Sequence, residues 1–148
     1  MRTGLLLTAL GLVGVAGAAR ADDERARQNY LLHCMGCHTE TGVGLPGRVP
    51  SLRGTFARLA QDPAGRSYVL RVPGVTQSTL EPQRLAEVLN WTIRAFDDGM
   101  QLAQVPPFTA AEVAAARERP LLEVSATRER VIHGSKAATP QQAGRSDR

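Results

Sequence analysis

The sequence predicts an all-α domain, and three observations carry that expectation. Apolar residues recur at helical spacing in three stretches, each bounded by start and stop signals. Only one short segment, 68–72, reads as extended. The chain's 148 residues, 43% of them hydrophobic, suit a single small core with free ends, while two cysteines are too few for a disulfide-rich scaffold.

The first helix is expected over 22–37. Asp22 and Asp23 offer a cap and a negative first turn, and Ala26, Tyr30, Cys34 and Cys37 recur at spacings of four, four and three, which puts them on one face. From 51 to 75 the pattern is mixed, with a weak helix at 56–60 before the extended segment. The clearest helix is 82–96. Pro82 falls in its first turn, Leu85, Val88, Leu89, Thr92, Ile93 and Phe96 form one stripe, and Asp97-Asp98-Gly99 stops it. A further helix over 109–119 opens on the capping box of Thr109 and Glu112 and closes at Pro120. Residues 121–133 have no firm period and form an extension that is either a last helix or a docking segment. Residues 134–148 (GSKAATPQQAGRSDR) read as a disordered polar tail.

The first 21 residues read as a signal peptide: Arg2 supplies the positive start, Leu5 to Val15 the apolar stretch, and Ala19-Arg20-Ala21 the cleavage site. The expected location is therefore periplasmic. The apolar stretch is broken by glycines and too short for a span, so no membrane span is expected after cleavage. Removing Arg2 and Arg20 lowers the formal charge from +4 to +2. Seventeen of the 18 basic residues are arginines, but they are scattered among acids, so nucleic acid is not an expected partner.

Both cysteines of the chain lie in one pentapeptide, Cys34-Met35-Gly36-Cys37-His38, the C-x-x-C-H pattern of covalent haem attachment. Two thiols three positions apart on a helical turn can each add to one haem vinyl group, and the next residue then brings its imidazole to the iron. Cys34 and Cys37 are thus the expected haem anchors and His38 the proximal iron ligand. Three other readings compete. A thioredoxin-like pair would want a strand ahead of Cys34, and no strand pattern is there. A zinc site would need four ligands; only His33, His38 and a remote His133 could join the cysteines, and Cys37 and His38 are adjacent in sequence. A plain disulfide would leave His38 without a role.

The sequence here resembles the class I c-type cytochromes, small monohaem proteins. The glycine-rich loop Thr41-Gly42-Val43-Gly44-Leu45-Pro46-Gly47 follows His38, and Pro50-Ser51-Leu52-Arg53-Gly54 is similar to the family's P-x-L-x-G segment. The resemblance implies cytochrome c-like helices packed around one covalently attached haem c, in a domain spanning 22–120. It further implies that the Pro50 carbonyl accepts a hydrogen bond from the second nitrogen of His38 and that Leu52 packs on the haem. The implied function is electron carriage rather than catalysis: single electrons pass from a periplasmic redox enzyme to a terminal oxidase or another cytochrome.

The distal iron ligand is less determined. Met35 lies inside the attachment turn, which leaves Met100 as the methionine candidate after processing. If 82–96 is the family's terminal helix, however, the ligand loop should lie at 70–80, and that stretch (LRVPGVTQSTL) contains no methionine. The alternatives are a site without a protein ligand, His133, or another residue. An open site would suit a small-ligand sensor or a peroxidase-like enzyme instead of a carrier. The shortage of aromatics, 4% of the chain, fits any of these, because a porphyrin replaces large side chains as core filler.

Overall fold

Pro82 has no N–H to lose in a first helical turn, and its fixed φ suits that position, so the helix over Pro82–Phe96 begins there. In the computed structural model, which describes residues 11–97 and 105–137, this helix is the sixth of eight. The described helices are α1 (Gly11–His33), α2 (Met35–His38), α3 (Phe56–Gln61), α4 (Pro63–Arg71), α5 (Pro73–Thr76), α6 (Pro82–Phe96), α7 (Ala110–Arg117) and α8 (Val124–Ala137). Among the described residues there is no strand, only an isolated bridge between Leu45 and Val49. The predicted all-α class is the class observed. No described helix is long and apolar enough to cross a membrane.

The stripe expected on α6 is buried as read: Leu85, Val88, Leu89, Thr92, Ile93 and Phe96 all face inward. Each of its large apolar side chains contributes about 1.5–3 kcal/mol by leaving water. Thr92 keeps its hydroxyl satisfied inside by donating to the Val88 carbonyl at 2.8 Å. The helix packs across α1 and against α7. Ala26 and Tyr30 are the buried face of α1 in that crossing, a small residue for close approach and a ring to fill it. Ion pairs fringe the contact, Arg25 with Glu87 and Arg94 with Asp23.

Three expectations need correction. The first helix does not start at Asp22 and Asp23; α1 already runs from Gly11, and the two aspartates instead pair with Arg25 and Arg94. Nor does it continue unbroken to Cys37: it ends at His33, and α2 restarts after Cys34. Residues 68–71, read as extended, are the last turn of α4. The decisive signal is local, because Asp62 accepts from the Gly65 N–H at 2.9 Å and Pro63 occupies the first turn, which starts a helix that buries Tyr68, Val69 and Leu70. Residues 134–137, read as part of the polar tail, belong to α8.

The chain beyond α6 is tied down by arginines. Arg66 on α4 grips Glu112 at 2.7 and 3.0 Å, donates to the carbonyls of Pro106 and Pro107 at 2.8 and 2.9 Å, and lies 4.0 Å from the Phe108 ring centre. Asn90 on α6 exchanges two hydrogen bonds with the backbone of Phe108. Arg71 donates to the Arg119 carbonyl, and Leu121 N–H returns a bond to Arg71. The capping box of Thr109 and Glu112 starts α7 as expected, and the helix runs to Arg117.

The Arg66 guanidinium, ahead of the Thr109 hydrogen bonds, holds the Glu112 carboxyl down at about 2 against the opposing effect of burial. A depressed carboxylate stabilises the fold above its ordinary value of 4.5, and the contribution disappears as pH falls toward about 2. Glu112→Gln keeps the cap but removes the charge. It should lower the melting temperature near neutral pH by on the order of 4 °C, and the gap to wild type should close as pH approaches the folded value. A pH-independent gap in thermal melts would contradict this account of the clamp.

Candidate functional site

α1 places Cys34 at its end, half-buried against the cluster of Tyr30, Val88 and Phe96. Cys34 leaves helical geometry only briefly, and its carbonyl accepts from the N–H groups of Cys37 and His38 at 3.2 and 3.0 Å. Cys34, Cys37 and His38 therefore share one tight turn. Both thiols are free, Cys37 is exposed, and burial pushes the Cys34 thiol up to about 11. Among the described residues no group of three or more His, Cys, Asp or Glu side chains could hold a metal by itself. The strand that a thioredoxin-like pair requires is likewise missing among them.

The loop after His38 folds back over that residue. Thr39 ends α2 at a φ of +62°, and Tyr30 holds it there, its hydroxyl donating to the Thr39 carbonyl at 2.7 Å. Gly44 N–H donates to the His38 carbonyl at 3.0 Å, and Leu52 N–H to the Gly42 carbonyl at 2.8 Å. A β-carbon on Gly44 would stand 2.4 Å from the Val49 carbonyl oxygen and 2.7 Å from that of Pro50, so only glycine lets the Pro50 backbone come this close.

His38 is half-buried, and its Nδ1 is buried with no partner at full hydrogen-bond geometry. Burial lowers its pKa, while the backbone of Pro50 works in the opposite direction. Burial therefore favours the neutral imidazole, the form that binds a metal, and Pro50 lies where it can fix the ring. Leu52 is half-buried and packs against both core clusters, a role shared by Leu80 ahead of α6. The structure thus brings Cys34, Cys37, His38, Pro50 and Leu52 together. Met100 lies outside the described residues.

The far end of α6 closes the same loop. The Phe96 carbonyl accepts from Gly54 N–H at 3.1 Å, and a β-carbon on Gly42 would meet the Phe96 ring at 2.8 Å. Tyr30, Trp91 and Phe96 form a ring cluster with centroids 5.1–5.6 Å apart. α6 packs across α1, in keeping with the reading of 82–96 as the family's terminal helix. The Tyr30 face was readable from its spacing to Cys34; the Tyr30 bond to Thr39 and the Phe96 contact with Gly42 had no sequence signal.

Two curated proteins are similar to this chain. Cytochrome c-552 from one strain of Thermus thermophilus is 30% identical over 148 residues, covering 88% of this chain and 97% of the relative. A second cytochrome c-552 of Thermus thermophilus is 31% identical over 121 residues, covering 70% of this chain and 92% of its own length. The chain belongs to the small c-type cytochromes. No family model and no solved structure matches it. Membership makes the protein a covalent haem c carrier of electrons rather than an enzyme. The residues of this cytochrome fit that group: two free thiols and an imidazole on one turn, with half-buried leucines bridging the two parts of the core.

Gly44 and Gly47 separate crowding from backbone strain, because both have positive φ but a β-carbon on Gly47 would meet nothing within 4 Å. Gly47→Ala should cost about 1 kcal/mol, the left-handed penalty alone. Gly44→Ala should cost about 1–3 kcal/mol more and displace the Pro50 backbone from His38, which shifts the haem spectrum. Equal stabilities and identical spectra would show that the Pro50 approach is unimportant.

Proposed function

We propose that this cytochrome is exported and shuttles single electrons from a periplasmic redox enzyme to a terminal oxidase or another cytochrome. The observation that carries the reading is the single turn bearing Cys34, Cys37 and His38, packed on the crossing of α1 and α6. Haem c, when bound, supplies the one-electron couple. Cys34 and Cys37 hold it by thioether bonds, and His38 is its proximal ligand. Pro50 keeps the His38 ring in one plane, and Leu52 keeps water from that side.

No proton need move at a substrate, so the site calls for rigidity more than acid or base groups. The exposed apolar side chains of Met35, within the attachment turn, and of Val43 and Leu45, in the loop after it, support a small, transient contact with a redox partner. Encounters of this kind bury less than about 1,200 Å². Export rests on the signal pattern of residues 1–21, whose removal leaves a weak charge of +2. Strong electrostatic steering is not part of the proposal.

Intact mass and a redox titration of protein made in a host that attaches c-type haem test this reading. The expected mass is the chain from Asp22 onward plus one haem, and the titration should follow a one-electron curve. The double variant Cys34→Ala with Cys37→Ala should lose covalent haem and cooperative unfolding together, since the porphyrin fills core volume that six aromatics do not. A haem-free wild type, or a variant apoprotein that still unfolds cooperatively, would overturn it.

A further inference from the structure

We propose that the sixth iron position of this cytochrome is left open by the side chains of the described residues and takes a neutral diatomic ligand. The proposal rests on the reading of Cys34, Cys37 and His38 as the haem site, and adds ligand uptake to electron carriage rather than replacing it. Its first support is the crossing of α6 with α1, which makes residues 72–81 the connection where the family resemblance puts a ligand loop. That connection reads VPGVTQSTLE and contains no methionine, histidine or lysine.

The connection is also anchored in place. Its first half is the turn of α5, closed by Gln77 N–H donating to the Pro73 carbonyl at 2.9 Å, with Val75 buried beneath. The Thr76 hydroxyl donates to the Val72 carbonyl at 3.3 Å, and the Ser78 hydroxyl accepts from Leu80 N–H at 3.3 Å. From the other side, Arg117 of α7 donates to the carbonyls of Ser78 and Leu80. The hydroxyls of Thr76 and Ser78 are thus engaged locally, and the arginine keeps the backbone from swinging. Leu80, within this stretch, packs against both core clusters, and apolar side chains of this kind favour a neutral ligand over an anion.

The other strong ligands among the described residues are poorly placed. His133 is 69% exposed and pairs with Glu129 at 3.3 Å on α8, a helix that packs on α4. His33 is exposed on the last turn of α1, and Met35 lies within the attachment turn itself. Met100 lies outside the described residues, and its variants decide its part.

Absorption spectra of the purified holoprotein test the proposal, with carbon monoxide as the probe and a pyridine haemochrome assay as the check on covalent haem. At neutral pH the reduced protein should take up carbon monoxide stoichiometrically, and the oxidised protein should lack the weak far-red sulfur-to-iron band. Met100→Ala and Met100→Leu should match wild type in both spectra, with carbon monoxide affinity within twofold. A far-red band that disappears in the Met100 variants, or a reduced wild type that resists saturating carbon monoxide, would overturn the proposal. Protein without covalent haem in the haemochrome assay would instead overturn the haem assignment on which it stands.

Discussion

Tyr30, fully buried where α1 crosses α6, holds the haem-attachment turn, the loop behind it and the main helix of the core in one arrangement. Its ring sits 5.1 Å from Trp91 and 5.2 Å from Phe96, while its hydroxyl reaches the Thr39 carbonyl at the end of that turn. Burial pushes the phenol up to about 12, so it stays protonated and remains a donor throughout the physiological range. Phe96 extends the same contact to Gly42 and Gly54. A redox centre that must change charge without moving atoms needs this kind of support, in which the ligand-bearing turn is packed from two helices and a loop at once.

The described chain beyond α6 adds a second layer, α7 on α4, α5 and α6 and α8 on α4. Arg66, Arg71 and Arg117 each spend their donors on backbone carbonyls at helix ends or connections, where acceptors would otherwise be left over. Arginine suits the task because its planar fork satisfies several acceptors at fixed angles. The scattered arginines that make the sequence basic are thus in part internal fasteners. The consequence for function is that residues 72–81, between α4 and α6, are held from the side of α7.

Legibility of the sequence followed the range of the interactions. The bounds of α6 and the start of α7 were readable because Pro82, the aspartates after Phe96 and the Thr109–Glu112 box act within one turn. The site motif was readable for the same reason, since the chemistry of Cys34, Cys37 and His38 is confined to one pentapeptide. The stretch from 68 was misread because Tyr68, Val69 and Val72 favour strands when taken alone, while the cap at Asp62 that decides the matter lies six residues earlier. The Arg66 clamp spans 46 residues to Glu112, and no local pattern announces a bond of that range. The extension α8 was hidden by its weak amphipathy, because among its described side chains Val124, Val131 and Ile132 are the apolar ones that pack on the core.

The central claim is that the α1–α6 crossing, through Tyr30 and Phe96, orders the loop that backs His38. Native-state hydrogen exchange on the holoprotein, comparing wild type with Phe96→Leu, tests it most directly. The amides of Gly44, Leu52 and Gly54 should lose protection together, by roughly tenfold or more, along with those at the end of α1. Fraying confined to the last turn of α6, with those three loop amides as protected as in wild type, would contradict the claim.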